Sequence, residues 1–382
     1  MTQRLSKLRS LLKKQSLDAV LISSIPNIIY LTDFSYFSSL EREAFLLITK
    51  KAQYIVTDGR YSHAVKQHVK NFQLLEITHG HRFDNHLSEI INIENIKSLG
   101  IDERNITVSE HKRISIHVKR VKHFDLSELR AVKEPQEIAV IKKACELGDR
   151  AFAYILKKIK EGLSEKEVAL EIEMFLRKNG ADNSFSTIVA FEENAAIPHH
   201  KTGNRKLKKN EIVLLDFGVK YKNYCSDMTR TVFFGKATGE KKRMYNTVLE
   251  AQRKAVEFLN KSLMKNYSSS ERSESRSYKF STSSNKNVIK AMDVDKAARS
   301  RIISQKYPTI PHSLGHGIGL EVHEAPSLFP KSNDELKSGM VFSIEPGIYL
   351  PNDVGVRIED LFTIQNNKLI QLTKAPKNLI EQ

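Results

Sequence analysis

The strongest constraint on how this chain can fold is a set of carboxylates embedded in apolar, strand-like sequence. In LLDFGVKYKNYCSDMTRTVFF (214–234), a strand ends in Asp216, a Gly/Lys/Asn-containing turn follows, and a second strand carries Asp227. Period-2 alternation puts Leu214, Asp216 and Gly218 on one face, away from Leu215 and Phe217. If the two strands pair as a hairpin, the two carboxylates converge. FSIEPGIYLPNDVGVRIEDLF (342–362) repeats the arrangement. Glu345 ends a strand before a Pro-Gly turn, Glu359 lies on the next strand, and alternation gives Arg357 the same face as Glu359. Buried carboxylates without partners are costly, and a cation is the usual remedy. Two hairpins that each present two acids from apolar strands are hard to reconcile with an ordinary solvated surface.

A histidine loop accompanies them. HSLGHGIGLEVHEAP (312–326) holds His312, His316 and His323, with glycines around the central one that allow close packing against a crowded site. One histidine with four carboxylates is a donor set suited to Mn²⁺, Co²⁺ or Fe²⁺ more than to a structural Zn²⁺, which prefers Cys and His. In NAAIPHHKTGNRKL (194–207), His199 and His200 follow Pro198 in a loop, and one of them is placed to act on a substrate.

At 382 residues the chain is long enough for two domains. The first third alternates helix and strand: Leu5, Leu8, Leu11 and Leu12 form a helical stripe, and DAVLISS (18–24), AFLLIT (44–49) and AQYIVTDGRY (52–61) are apolar runs of buried-strand type. This predicts an α/β domain over 1–130. Pro135 then opens a new helix, with Ile138, Ile141, Cys145, Phe152 and Ile155 on one face. Ser164 and Glu167 form a capping box, and Gly180 stops that next helix. Strands at 186–191, 211–219, 230–235, 340–347 and 356–364, with a helix over about 241–262, predict an α+β domain over 131–382 with a largely antiparallel sheet. The Ser-rich stretch 264–287 has too few apolar residues to join a core and is expected to be a flexible surface insertion.

The formal net charge is +16, but Lys and Arg are scattered, with no aromatic-studded basic tract, so no nucleic-acid partner is expected. Cys145 and Cys225 fit no zinc or redox spacing. The N-terminus reads as an amphipathic helix, and no stretch approaches membrane-spanning length. The expectation is a soluble cytoplasmic protein without a membrane partner.

Taken together, these residues resemble the proline-specific branch of the methionine aminopeptidase/creatinase metallopeptidase family: Xaa-Pro aminopeptidases and Xaa-Pro dipeptidases (prolidases). DFGVKYKNYCSDMTRT, HSLGHGIGLEVHE and SIEPGIY…GVRIED match that pattern in order and spacing over most of 130–375; NIIYLTDF (27–34) and TDGRY (57–61) match its N-terminal domain more loosely. The resemblance implies a pita-bread catalytic domain behind a creatinase-like α/β domain, working as a homodimer on proline-containing peptides. It implies two divalent ions, Mn²⁺ foremost with Co²⁺, Fe²⁺ or Zn²⁺ as other fits, and a bridging hydroxide as nucleophile. The five metal ligands fall on Asp216, Asp227, His316, Glu345 and Glu359. Glu345 also corresponds to the proton acceptor, His199 to the group at the scissile nitrogen, and His323 to the stabiliser of the tetrahedral intermediate. His312 and Arg357 correspond to substrate-binding residues. The chain departs from the pattern in its Ser-rich segment, in LTDF where LTGF is common, and in the second histidine, His200, beside His199. Two other readings share the fold: a methionine aminopeptidase-like peptidase, against which Arg357 and the full N-terminal domain argue, and a non-catalytic binding protein, against which the intact ligand set argues.

Overall fold

In the computed structural model, which describes residues 2–38, 40–274 and 288–382, the chain divides into two compact units, Met1–Arg130 and Ala131–Gln382. The first is built on a six-stranded mixed sheet. Ala19–Ile22 and Ala44–Thr49 are buried along their whole length, as continuous apolar runs in a doubly covered sheet should be. They pair antiparallel with each other, while Ser98–Ile101 runs parallel to Ala19–Ile22. In the N-terminal helix Thr2–Lys14, Leu5, Leu8 and Leu12 are buried and Leu11 is half-buried. The helix Ile25–Thr32 ends on Asp33, whose backbone is left-handed (φ 59°) and whose N–H donates to Ile29 O. Asp tolerates this region better than most side chains. Its carboxylate lies 3.5 Å from Arg4, so the aspartate of LTDF caps its helix where glycine would do so without a side chain.

In the second unit every named strand pairing is antiparallel. The strand Glu211–Phe217 is central to it. Ile212 and Leu214 join a core with Met244, Val248 and Val294 from the helices Gly239–Glu274 and Ala291–Ser304. Val213, Leu215 and Phe217 join another with Leu147, Phe152 and Ile172 from the helices Pro135–Leu156 and Glu165–Lys178. Both faces of the sheet are thus covered, which explains why the strand is apolar from Ile212 to Phe217 at every position but Asp216. Asp216 is an acid in a strand that has no solvent face.

The helix signals perform as read. Ser164 caps Glu165–Lys178 in a reciprocal box with Glu167, and Gly180 follows with φ 75°. Two expectations need correction. The helix expected over 241–262 begins at Gly239 and runs to Glu274, so the first part of the supposed flexible insertion continues a helix; 275–287 lies outside the described residues. The strands expected at 340–347 and 356–364 are each interrupted. Val341–Ile344 stops before Glu345 and Pro346, and Gly355–Arg357 is separated from Asp360–Gln365 by Ile358 and Glu359. Among the described residues no helix is long and apolar enough to cross a membrane.

Candidate metal centre

Both acid-bearing hairpins form, and both change ladders near their acids. In the first, Glu211–Phe217 pairs with Met228–Phe234, and Asp216 faces Thr229 across the ladder. Beyond Gly218 the chain enters a separate short ladder, Val219–Tyr221 with Tyr224–Cys225. A Cβ on Gly218 would lie 2.1 Å from Ser226 O, so only glycine fits this joint. Asp227 is in the joint on the returning side, one residue before its strand, and not on the strand itself. In the second hairpin Val341–Ile344 pairs with Asp360–Gln365, while Gly347–Tyr349 pairs with Gly355–Arg357 in a different sheet. Pro346, which has no N–H for a ladder, marks the break. Glu345 and Glu359 both occupy it. A residue in such a joint is released from strict alternation, so its side chain can turn toward the space between the sheets.

The joints are stitched together. Glu359 N–H donates to Thr229 O (3.1 Å), Thr229 Oγ1 donates to Glu359 Oε2 (2.8 Å), and Thr231 Oγ1 donates to Arg357 O (3.0 Å). The histidine loop enters through the short strand Gly315–Gly317, paired with Glu324–Leu328 on one side and Val341–Ile344 on the other. A Cβ on Gly315 would sit 2.0 Å from Ser343 O, and one on Gly317 would sit 2.1 Å from Ala325 O. The two glycines let this strand slide between its neighbours and bring His316 inward. His316 Nε2 lies 3.3 Å from Glu345 Oε1 and 3.7 Å from Asp227 Oδ2.

Asp216, Asp227 and Glu359 are all buried. Asp227, His316 and Glu359 can each bring a ligand atom to within 4.8 Å of the others. Burial, followed by the charges of Glu359, Asp216 and Glu345, holds the Asp227 carboxyl well above its usual pKa. Burial and the charges of Glu345 and Asp216 do the same to Glu359. Burial raises Asp216 against the opposing pull of Arg357, whose Nη2 donates to Asp216 Oδ2 at 2.6 Å. Glu345 behaves oppositely: burial resists ionisation, but His316 holds its pKa down to about 2. His316 in turn is pushed up to about 9, burial being outweighed by Glu345 and Glu359. Asp227 Oδ1 and Glu359 Oε1 are buried with no hydrogen-bond partner among the described residues. Orphaned carboxylate oxygens, crowded acids and one imidazole are a donor set that divalent cations satisfy, so the residues fit the metal implied for them.

The remaining expected residues gather beside this cluster. His323 stacks edge-on against His316, with ring centroids 4.4 Å apart. His312 Nε2 is 2.9 Å from the Tyr349 hydroxyl, and Arg357 Nη1 donates to the same hydroxyl at 2.8 Å. Arg357 is buried and fully engaged, also donating to Thr229 Oγ1 and Pro198 O. His199 is close enough for its charge to act on both His312 and His323. His200 is not part of this group. Its Nε2 meets Glu165 Oε2 at 2.9 Å, on a buried carboxylate that also accepts from Phe191 N, Asn194 Nδ2 and Gly203 N. It braces the loop that carries its neighbour. Sequence reasoning passed over Thr229, Ser343 and Tyr349. Thr229 contacts both Glu359 and Arg357, Ser343 Oγ donates to Glu345 and accepts from His316 N, and Tyr349 joins His312 to Arg357. Their signal was position alone, inside the SDMTRT, FSIEP and EPGIY segments.

The model of metallopeptidase family M24 matches residues 139–265 and 278–366, and that of the Creatinase/Prolidase N-terminal domain matches 4–132. An Xaa-Pro dipeptidase of Pyrococcus horikoshii is 34% identical over 100% of this chain and 99% of its own. Among solved structures, an Xaa-Pro dipeptidase from Bacillus anthracis superposes with a TM-score of 0.86 at 31% identity, covering 100% of this chain and 99% of that one. An X-Pro aminopeptidase from Thermotoga maritima gives 0.80 at 31% identity, covering 96% and 98%. The chain belongs to metallopeptidase family M24, a hydrolase whose pita-bread domain follows a Creatinase/Prolidase N-terminal domain.

Proposed function

We propose that the protein is an exopeptidase that hydrolyses the peptide bond preceding proline, as an Xaa-Pro dipeptidase or Xaa-Pro aminopeptidase. The observation that carries this reading is the convergence of Asp227, His316, Glu345 and Glu359, with the charge of Asp216 acting on Asp227 and Glu359 and two carboxylate oxygens unpartnered among the described residues, in a chain whose full-length relatives include Xaa-Pro dipeptidases. These five residues would hold two divalent ions. Bound there, the ions would supply Lewis acidity at the scissile carbonyl and lower the pKa of the attacking water.

The side chains do the rest. Glu345 accepts the proton of the attacking water, and His316 and Ser343 hold it in place for this role. His323, its pKa lowered by partial burial and by His316, is a neutral donor for the developing oxyanion. His199, freed by the anchoring of His200 on Glu165, serves the scissile nitrogen. His312, lowered chiefly by burial, and Arg357 meet at Tyr349 and hold the substrate. Mn²⁺ as the metal, a homodimer and a cytoplasmic setting complete the proposal; the oxygen-rich donor set supports the first and the two buried free cysteines support the last.

Protein stripped with a chelator and reloaded with Mn²⁺ or Co²⁺ should release the first residue from Xaa-Pro dipeptides, Xaa-Pro-Yaa tripeptides or both. Release from dipeptides alone selects the prolidase form. No metal-dependent release from either rejects the proposal.

A further inference from the structure

The N-terminal unit carries a second group of metal-ligating side chains with no part in the chemistry above: His81, His86 and Glu89. Their donor atoms also lie within 4.8 Å of one another. His86 and Glu89 stand three residues apart on the helix Phe83–Ile93 and share a face. His81 comes from the preceding turn, which is closed at both ends: Thr78 N–H donates to His81 O (2.9 Å), and His81 N–H donates to Thr78 Oγ1 (3.1 Å). His81 Nε2 is 3.2 Å from Glu89 Oε2, and the two imidazole centroids are 4.2 Å apart at 67°.

The hydrogen bonding of His86 selects its tautomer. His86 is buried, and its Nε2 lies 3.0 Å from Glu76 O. A backbone carbonyl only accepts, so Nε2 carries the proton and Nδ1 keeps its lone pair. An imidazole oriented through its far nitrogen by a carbonyl is the outer-shell arrangement that metal-bound histidines use. Glu76 belongs to Gln73–Ile77, the last strand of the sheet order. The ring is therefore positioned by an edge strand before any ion arrives.

We infer that His81, His86 and Glu89 form a divalent transition-metal site, distinct from the M24 ligand set, that clips the Thr78–His81 turn to the Phe83–Ile93 helix. Two neutral imidazoles and one carboxylate suit Zn²⁺, with a fourth position left to water. At Zn–N distances of about 2.0–2.1 Å, donor atoms of a tetrahedral site stand roughly 3.4 Å apart. The His81–Glu89 pair already meets that spacing, and side-chain rotation closes the remainder. Binding through Nε2 uses the His81 tautomer that carries its proton on Nδ1.

The test is a count of bound zinc. Full-length protein is stripped with a chelator, equilibrated against Zn²⁺, and its metal content per chain is compared with that of H81A and E89Q. Wild type should hold one zinc more per chain than either variant, and Zn²⁺ should raise its Tm more than theirs. Equal zinc content in all three proteins overturns the inference. Glu89 is exposed on its helix, so E89Q keeps the fold. Loss in H81A with no loss in E89Q would equally reject a three-ligand site. Neither reading depends on peptidase activity.

Discussion

The two acid-bearing hairpins look alike in sequence and differ in how their charges are met. In the first, Asp216 sits inside a ladder, flanked across the sheet by Ile188 and Thr229, and its cation is Arg357 of the second hairpin. In the second, both acids fall in the break between ladders, and Glu345 takes its cation from the histidine loop. Each hairpin therefore contributes one acid in hydrogen-bond contact with a protein cation and one without such a contact. Asp227 and Glu359 are the uncompensated pair: His316 stands 3.7 Å from Asp227, beyond hydrogen-bond reach, and both acids retain a buried oxygen with no partner among the described residues. The difference separates two functions within one cluster. Asp216 and Glu345 are oriented by the protein itself, whereas Asp227 and Glu359 need an outside cation to be stable as anions at neutral pH.

The largest expected effect comes from removing the oriented acid nearest the histidine loop. Glu345→Ala should lower kcat by at least about 10³-fold, well beyond the 10–100-fold typical of outer-shell residues. Its circular dichroism should remain that of the wild type, because the backbone bond from Glu345 N to Leu314 O is untouched. Retained turnover in a folded variant would remove Glu345 from the mechanism and undo its contrast with Glu359.

Arg357→Lys probes the cross-hairpin cation. Lysine preserves the charge but not the planar fork that reaches Asp216, Tyr349 and Thr229 together. A loss of about 10–100-fold in kcat/KM is expected, on the scale of outer-shell positioning. A loss matching that of Glu345→Ala would mean that Arg357 acts directly on the reacting atoms.

How much of this was legible in the sequence follows from the same contrast. A carboxylate inside an apolar strand is conspicuous, so Asp216, Asp227, Glu345 and Glu359 stood out before any fold was known, and the glycines around His316 marked a crowded strand. The expectation of continuous strands then failed at Asp227 and Glu359, which fall in breaks. The breaking residues, Gly218 and Pro346, were in view, but their effect depends on backbone approaches such as that of Ser226, which only the folded chain supplies. His199 and His200 could not be separated from sequence, since the distinction rests on Glu165, more than thirty residues away. Thr229 and Tyr349 are common residue types whose importance comes entirely from their neighbours. In the N-terminal unit, by contrast, apolar runs and a leucine stripe were sufficient, because burial alone determines those elements.

The uncompensated pair predicts a stability effect in metal-stripped protein. A carboxyl whose pKa is raised by folding binds its proton more tightly folded than unfolded. Stability attributable to it is therefore lost as pH rises above the unfolded-state value. Chelated wild type should gain Tm as pH is lowered from 7 toward 5, by about 2–4 °C for each kcal/mol recovered. Glu359→Gln should flatten that slope and raise Tm at pH 7, while abolishing the further increase expected when Mn²⁺ is added to the wild type. A metal-free slope unchanged by the substitution would contradict the assignment of Glu359 as an uncompensated acid.

The smallest expected effect concerns the residue that ties Arg357 to His312. Ser313 O accepts from His312 Nδ1 at 2.7 Å, so the proton is on Nδ1 and Nε2 is an acceptor. Arg357 can only donate, so the Tyr349 hydroxyl accepts from it and donates to His312 Nε2. Burial pushes the Tyr349 phenol up to about 12, which keeps that proton in place at neutral pH. The chain from Arg357 through Tyr349 and His312 to Ser313 thus runs in one direction. Tyr349→Phe removes its middle link without altering any acid. One or two such bonds are worth about 1–2 kcal/mol, so kcat/KM should fall about 5–30-fold, mainly through KM if His312 and Arg357 hold substrate. A fall confined to kcat would place the chain in the chemical step and join the two hairpins more tightly than their charges alone require.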